Sequence, residues 1–331
     1  MALESTVPEP VSDLRAWAKD DGLFLTWGFP SRNMDGTRLT DLQGFRVFRQ
    51  SRPWGSSACP DCPSKLEPVE EIDLKYPRGA RLEGQRVWWQ DNTVQFQNEY
   101  TYFVVAYNKY KTPSLESNRV KISWDQPPSA PQDAGVKSED RSLEISWDFI
   151  PRLRSGEELT DSAGFNIYRR GEGEAFGFYP LNPELIPKSP YQDAPLVNGK
   201  KYEYAVRAVR NFNGTFIEGP SSAVVFGVPE KRMPPSAPTG LVGVIRNEEG
   251  KRGAELRWNI NPEPDVAGYD LYRQEKDSDI VVKVNPQLIP ETYFLDASAD
   301  PRKSHLYRLK AVDRSPRRNQ SEFSQEVEIS P

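Results

Sequence analysis

The stretch "YTYFVVA", residues 100–106, is the strongest indication of the fold, because its pattern occurs three times in this chain. It returns as "YEYAVRA" at residues 202–208 and as "HLYRLKA" at residues 305–311. In an extended strand, alternate side chains point to opposite faces, so positions one, three, five and seven of each copy share one face. These positions hold a ring, a second ring, an aliphatic residue and an alanine. The pattern predicts three strands with the same buried face.

Other landmarks precede each copy in the same order. Segments with strand-like alternation around a tryptophan come first: "LFLTWGF", "LEISWDF" and "AELRWNI", which contain Trp27, Trp147 and Trp258. Next come "GFRVFR", "GFNIYRR" and "GYDLYR", which begin at Gly44, Gly164 and Gly268. An aspartate then stands nine residues before each recurring stretch, at Asp91, Asp193 and Asp296. Several matched offsets in three copies indicate a tandem repeat.

These segments resemble the fibronectin type III family over nearly the whole chain. The resemblance implies an all-β protein of three tandem immunoglobulin-like β-sandwiches in an elongated array. It also implies a buried tryptophan in each unit and a corner tyrosine whose hydroxyl bonds to nearby backbone. The structural core residues expected on this basis are Trp27, Trp147, Trp258, Tyr100, Tyr202 and His305. His305 departs from the family pattern, and we expect it to replace the corner tyrosine rather than to act as a catalytic base or metal ligand.

Two proline-rich segments mark the unit boundaries. "QPPSAP" begins at residue 126 and "MPPSAP" at residue 233. Proline restricts its own backbone and that of the preceding residue, so these linkers should be short and stiff. We therefore predict domains at residues 1–126, 127–233 and 234–331. The first has a long loop insertion, because the separation from tryptophan to corner residue is largest there.

Composition excludes several classes of protein. The formal net charge of the 331 residues is -5, and each predicted domain is slightly acidic. Without a basic region, nucleic acid is not expected as a partner. No apolar run reaches the ~18 residues that suggest a transmembrane segment. Eight tryptophans and 37% hydrophobic residues predict packed cores rather than disorder.

The two cysteines of the chain lie in "SSACPDCPSK", residues 56–65. A structural zinc site needs four ligands, but Cys59 and Cys62 are joined by only one distant histidine. Haem attachment needs histidine at the place of Pro63, and a thioredoxin-like motif needs a helix start. We favour a local disulfide that orders the long loop, which implies an oxidising compartment. Redox-active thiols stay the alternative, and thiol titration of the native protein distinguishes the two.

Five residues in predicted loops are candidates for partner binding: Trp54, Phe212, Phe216, Arg317 and Arg318. Trp54 precedes the cysteine loop, and the others lie between the last two strands of the second and third units. Loops at the ends of such sandwiches often carry binding residues. The alternative is that the rings fold back over the core and that the arginines are solvated turn residues.

The sequence contains no P-loop, GxGxxG, GxSxG or HExxH motif, so no catalytic, metal or cofactor site is expected. We predict a non-catalytic extracytoplasmic binding or spacer protein that acts on a protein or surface glycan partner. The alternative function is a redox- or metal-linked accessory of an envelope enzyme or electron-transfer assembly, using Cys59 and Cys62. A cytokine-receptor ectodomain fits poorly because the WSxWS motif is missing.

The expected location is the cell surface, the periplasm or the exterior. Residues 1–30 lack the features of a secretory signal. However, a first unit with CxxCP followed by two further repeats is similar to exported bacterial lipoproteins that contain fibronectin type III domains. The resemblance implies an acylated cysteine preceding this sequence, and therefore a lipid anchor.

Overall fold

The computed structural model describes residues 6–54, 66–248 and 251–331, and in these ranges it contains strands and turns but no α-helix. The strands form several separate sheets. The all-β prediction is therefore confirmed. We refer to residues 1–126, 127–233 and 234–331 as the first, second and third repeats, and the boundaries themselves remain a prediction.

The first repeat forms two sheets that share one core. Its strands are β1 (Arg15–Lys19), β2 (Gly22–Gly28), β3 (Leu42–Pro53), β4 (Leu66–Asp73), β5 (Ala80–Glu83), β6 (Arg86–Asp91), β7 (Asn98–Asn108) and β8 (Val120–Trp124). One sheet has the order β4-β3-β7-β8, and the other contains the run β1-β2-β6-β5. Alternate residues of β2, namely Leu23, Leu25 and Trp27, are completely buried, as strand periodicity requires.

The second repeat has a shorter complement of strands. These are β9 (Gln132–Glu139), β10 (Ser142–Asp148), β11 (Ser162–Gly171), β12 (Tyr191–Asp193), β13 (Tyr202–Phe212), β14 (Thr215–Ser221) and β15 (Val225–Gly227). One sheet has the order β12-β10-β9. Strands β11, β13 and β14 belong to a larger sheet, with β15 paired to β13. Residues 172–190 form no strand.

The third repeat returns to the arrangement of the first. Its strands are β16 (Val242–Glu248), β17 (Lys251–Arg257), β18 (Val266–Glu275), β19 (Val281–Lys283), β20 (Tyr293–Asp296), β21 (His305–Asp313) and β22 (Val327–Ile329). They form sheets of order β16-β17-β20 and β19-β18-β21-β22. The same order in two repeats is the arrangement expected of related immunoglobulin-like sandwiches.

The recurring glycine at the start of "GF" or "GY" sits at a β-bulge in every repeat. The strand register shifts next to Gly44, Gly164 and Gly268. Gly164 has φ +142°, and a Cβ there would lie 2.8 Å from the Ile186 carbonyl oxygen. At Gly268 the corresponding contact is 2.7 Å, with the Ile289 carbonyl oxygen. Only glycine fits this combination of backbone angle and close approach.

The recurring aspartate links the two sheets of a sandwich. In the first repeat, Asp91 accepts hydrogen bonds from Tyr102 Oη at 2.7 Å and Arg49 Nη1 at 2.8 Å. In the third repeat, Tyr307 Oη lies 2.9 Å from Asp296, and Arg273 Nη1 lies 2.5 Å from it. These contacts explain why the aspartate and the second tyrosine recur at a fixed offset and why an arginine ends each "GF" or "GY" motif.

The chain divides into two compact units. One comprises Met1–Val136, Ile145–Tyr191 and Tyr202–Phe226, and the other comprises Lys137–Glu144, Gln192–Lys201 and Gly227–Pro331. The first repeat and most of the second therefore belong to one unit. The third repeat has its own core, which contains Trp258, Leu271 and Leu309.

Candidate binding site

The first and second repeats are joined by a parallel pairing of two strands. Strand β1 of the first repeat pairs with β14 of the second, with Ala18 opposite Ile217 and Lys19 opposite Glu218. The Asp20 N–H extends the pairing by donating to the Glu218 carbonyl oxygen at 3.0 Å. One sheet of eight strands results, with the main order β11-β13-β14-β1-β2-β6-β5. The two repeats therefore share backbone hydrogen bonds.

Strands β13 and β14, which form an antiparallel hairpin, contribute apolar side chains to the first repeat. Ile217 is completely buried and belongs to the core cluster that contains Trp27. Phe212 is partly buried against that cluster. Since burying a large aliphatic side chain contributes about 1.5–3 kcal/mol, Ile217 alone is a substantial part of the junction.

Lys19 lies at the centre of the junction with each ammonium proton matched to an acceptor. Its Nζ donates to Tyr168 Oη at 2.8 Å and to the Phe178 carbonyl oxygen at 3.1 Å. It also lies 3.1 Å from Glu218 Oε1. An ammonium group has three donors, so these three contacts satisfy it.

Glu218 is held equally firmly. Its carboxylate accepts hydrogen bonds from Asn166 Nδ2 at 2.6 Å and from Tyr168 Oη at 2.8 Å. Arg207 Nε lies 3.5 Å away, and the same arginine forms an ion pair with Asp20. We call Lys19, Asp20, Tyr168, Arg207 and Glu218 the junction cluster.

Burial shifts the pKa values of two members of the junction cluster. It lowers the pKa of Lys19, although the neighbouring Glu218 carboxylate partly opposes this effect. It raises the pKa of Tyr168, and the Glu218 charge raises it further. Tyr168 therefore stays protonated at neutral pH and can donate to Glu218.

An aromatic cluster covers the outer face of the first repeat beside the junction. Phe178, from the strandless segment 172–190, has ring centroids of Trp17, Phe24 and Trp88 within 5.4, 5.5 and 4.8 Å. Tyr179 packs on Trp17 at 5.8 Å. Phe178 thus inserts among three rings that strands β1, β2 and β6 present outwards.

A cavity lies on each side of Phe178. The first, of about 500 Å³, is lined by Phe24, Arg81, Trp88, Gln90 and Phe176 together with four members of the junction cluster. The second, of about 670 Å³, is lined by Trp17, Tyr179, Pro180, Pro183 and Phe216. Concave sites of this size with aromatic walls and a few polar groups are typical of ligand binding. We call the two cavities together the junction groove.

The tryptophans expected in the core are all buried in their own repeats. Trp27, Trp147 and Trp258 each contact the ring that follows the recurring glycine: Phe45 at 5.6 Å, Phe165 at 5.1 Å and Tyr269 at 5.3 Å. The tryptophan and "GF" motifs therefore meet across each sandwich.

The corner residues also lie in their cores. Tyr100 Oη accepts a hydrogen bond from the Gln95 N–H at 2.7 Å. In the third repeat, His305 Nε2 lies 2.9 Å from the Asp300 carbonyl oxygen and makes the analogous contact. Each residue bonds to backbone five positions upstream. Tyr202 is buried at the equivalent place in the second repeat.

The loop candidates have different surroundings. Phe212 packs inside the chain, with its ring 5.9 Å from that of Trp54, whereas Phe216 remains 56% exposed on the junction groove. Arg317 forms an ion pair with Glu230 at 2.8 Å, and Arg318 is exposed. The structure brings Trp54, Phe212 and Phe216 to the junction but leaves the two arginines in the other compact unit. Their binding roles stay predictions.

Cys59 and Cys62 lie outside the described residues, so their pairing stays a prediction. Within residues 6–54, 66–248 and 251–331, no group of three or more potential ligands is arranged to hold a metal ion. In the same ranges, no helix is long and apolar enough to cross a membrane.

The sequence interpretation missed Trp17, Trp88 and Phe178. One signal was present: in "VWW", residues 87–89, the two tryptophans are adjacent, so strand alternation requires one of them to point outwards. That residue is Trp88. No local pattern could show that a loop about ninety residues further along covers it.

No protein-family model matches this sequence. Among solved structures, the crystal structure of chicken CNTN1 FN1-FN3 domains is similar over 97% of this chain and 98% of that chain. The sequence identity is 20% and the TM-score is 0.28.

Proposed function

We propose that this chain is a non-catalytic, extracytoplasmic binding and spacer protein whose first two repeats act as one rigid body. The observation that carries the proposal is the pairing of β1 with β14, which joins one sheet of the first repeat to one sheet of the second. A module that only positions other molecules benefits from a stiff joint, whereas independent domains on a linker move freely by default.

Three kinds of interaction support stiffness at this junction. The backbone pairing resists sliding, Ile217 would expose its side chain if the repeats separated, and Lys19 would lose Glu218. Removing one partner from a buried ion pair typically costs about 3–5 kcal/mol. Bending the joint would disturb all three at once.

The junction groove supports the binding part of the proposal. Its walls combine flat aromatic faces with amide, hydroxyl and carbonyl groups, which suit either an extended peptide or a glycan. Tyr179 is 55% exposed at its edge and therefore accessible to a partner. We propose the groove as the partner-binding surface.

The junction cluster supports a structural rather than a catalytic use of these charges. A lysine with a lowered pKa beside a cavity is a recognised candidate for catalysis. Here, however, all three donors of Lys19 are engaged, and Glu218 accepts from several groups. A nucleophilic amine or a general base would need a free lone pair aimed at a substrate.

The rigid-body proposal is tested by NMR relaxation of the native chain and of Glu218→Gln. In the native chain, amides of the first and second repeats should tumble with one correlation time. In Glu218→Gln, the two repeats should acquire different correlation times, because Lys19 and Arg207 lose their shared carboxylate. The control is Glu203→Gln, which removes the Arg170–Glu203 ion pair within the second repeat. Separate tumbling already in the native chain would refute the rigid body.

The binding proposal is tested by retention of partners from a solubilised envelope and by a glycan array. Tyr179→Ser should lose retention, since it removes an exposed ring from the groove. The control is Tyr110→Ser, which removes another exposed tyrosine that lies outside the groove. Equal retention by both variants would place the binding surface elsewhere.

A further inference from the structure

The edge strand β19 of the third repeat is unusually apolar. Ile280, Val281 and Val282 are consecutive and 71%, 43% and 46% exposed. Strand β19 is terminal in its sheet and pairs only with β18 among the described strands. A sheet edge carries unpaired backbone donors and acceptors, and an apolar edge favours pairing with another strand.

The equivalent edge in the first repeat is protected. Strand β4 occupies the same position in the sheet order, and its sequence "LEPVEEID" contains four acidic residues and a proline. Charges and proline are the usual means of preventing edge-to-edge pairing. In the second repeat, residues 172–190 follow β11 without forming such a strand. Strand β19 is thus the one edge of this kind that is both present and unprotected in the described chain.

The backbone geometry shows which groups of β19 face outwards. The Val284 N–H donates to the Leu271 carbonyl oxygen at 2.8 Å, and Val282 lies opposite Arg273. Bonded pairs alternate in an antiparallel ladder, so Val282 also faces β18. The N–H and C=O groups of Val281 and Lys283 therefore point away from the sheet.

We propose that β19 pairs with β19 of a second copy of this chain, antiparallel, with Val281 opposite Val281. This register places Asp279 of each copy opposite Lys283 of the other. It also places Ile280 of each copy opposite Val282 of the other. The two registers shifted by two residues would each place a charged residue opposite Val281, namely Lys283 in one and Asp279 in the other. The pairing of valine with valine, together with the pairing of Asp279 with Lys283, therefore selects both the second copy and the register.

Lys283 can take part without losing its present contact. Its Nζ lies 2.7 Å from Asp270 Oδ1, and its side chain is 41% exposed. That contact uses one of three ammonium donors and holds the side chain at the strand. Asp279 is exposed at the other end of the segment.

The first experiment measures the mass of the native chain by analytical ultracentrifugation over a range of concentrations. We expect a reversible monomer–dimer equilibrium. Val281→Lys should lower the association constant at least about tenfold, because it puts two like charges opposite each other. The control, Val244→Lys, changes an exposed valine on a different strand and should leave association unchanged. A monomer at all concentrations, or an undiminished dimer in Val281→Lys, would overturn the proposal.

The second experiment tests the register by disulfide trapping in a Cys59→Ser/Cys62→Ser background. Ile280 and Val282 would form a non-hydrogen-bonded pair across the interface, with Cα atoms about 4.5 Å apart, which is within disulfide range. A mixture of Ile280→Cys and Val282→Cys chains should therefore cross-link on mild oxidation, while either variant alone should not. Cross-linking of Ile280→Cys alone, or none in the mixture, would exclude this register.

Discussion

At the scale of single residues, the repeated Asp–Tyr–Arg contact is the clearest link between sequence and stability. Burial tends to raise the pKa of Asp91, but hydrogen bonds from Thr93 and Tyr102 outweigh it, and the net pKa is lowered. Arg49 adds a favourable charge. A carboxylate that is better stabilised in the folded chain than in the unfolded chain contributes stability above its unfolded pKa.

We therefore expect Asp91→Asn to remove part of the acid sensitivity of the first repeat. In the native chain, this contribution is complete above the unfolded pKa, near 3.8, and is lost as pH falls through the lower folded value. In Asp91→Asn, unfolding free energy at neutral pH should fall by about 3 kcal/mol, because Arg49 loses its buried partner. Chemical denaturation between neutral and acidic pH measures both effects.

The control for this experiment is Asp277→Asn, which changes an exposed aspartate in a turn. It should leave both the unfolding free energy and its pH dependence nearly unchanged. A similar acid profile in Asp91→Asn and the native chain would mean that other carboxylates dominate acid unfolding.

At the scale of secondary-structure elements, the bulged strands β3, β11 and β18 depend on glycine for a steric reason. The bulge brings the carbonyl of a neighbouring segment against the Cα atom.

A Ser-x-x-Ser segment follows β7 in the first repeat and β21 in the third, and its serine side chains bond to the backbone of these strands. Ser117 Oγ accepts from the Val104 N–H, and Ser324 Oγ accepts from the Leu309 N–H, both at 3.0 Å.

We expect Gly164→Ala to lower the free energy of unfolding of the second repeat by about 3 kcal/mol. The new methyl group would approach the Ile186 carbonyl oxygen and would also force alanine to an unfavourable φ. Gly156→Ala separates the two effects, since Gly156 has φ +94° but open space around its Cα. Gly156→Ala should lower the free energy of unfolding by only about 1 kcal/mol. The free energy of unfolding is measured by denaturant unfolding. If Gly164→Ala and Gly156→Ala lower it equally, the contact of the new methyl group with Ile186 adds no destabilisation.

At the scale of the whole molecule, the shared sheet changes the expected unfolding behaviour. Three sandwiches on proline-rich linkers would unfold independently. However, β14 completes the sheet of the first repeat, and Ile217 lies in its core. Loss of the second repeat would therefore remove the strand that pairs with β1 and a side chain from the core of the first repeat.

We expect Trp147→Ala to lower the melting temperature of the first and second repeats together. Deleting this buried aromatic side chain should cost roughly 3–5 kcal/mol. The transition of the third repeat should be unchanged. Calorimetry combined with hydrogen exchange assigns each transition to its repeat. Trp258→Ala is the matched variant and should shift only the third repeat. Independent melting of the first repeat in Trp147→Ala would contradict coupling through β14.

The amino-acid pattern was sufficient to predict the all-β class and the recurring motifs within each sandwich. Strand alternation, glycine bulges and the spacing from Asp91 to Tyr100 are local, and each depends on residues close in the chain or repeated in phase. These motifs can be recognised because they occur in three copies, and chance matches would not keep the same spacing between residues. For this reason, the amino-acid pattern alone identifies Trp27 and its counterparts as core residues.

The pairing of β1 with β14 and the position of Phe178 could not be predicted from the sequence and are seen in the folded chain. Lys19 and Glu218 are about two hundred residues apart, and nothing near either one shows that it will be buried with the other. Their pairing results from shape complementarity between two sandwiches and from the need to satisfy charges that this contact removes from water. Sequence periodicity reports which face of a strand is apolar, whereas the neighbour that covers an outer face depends on the assembly of whole sheets.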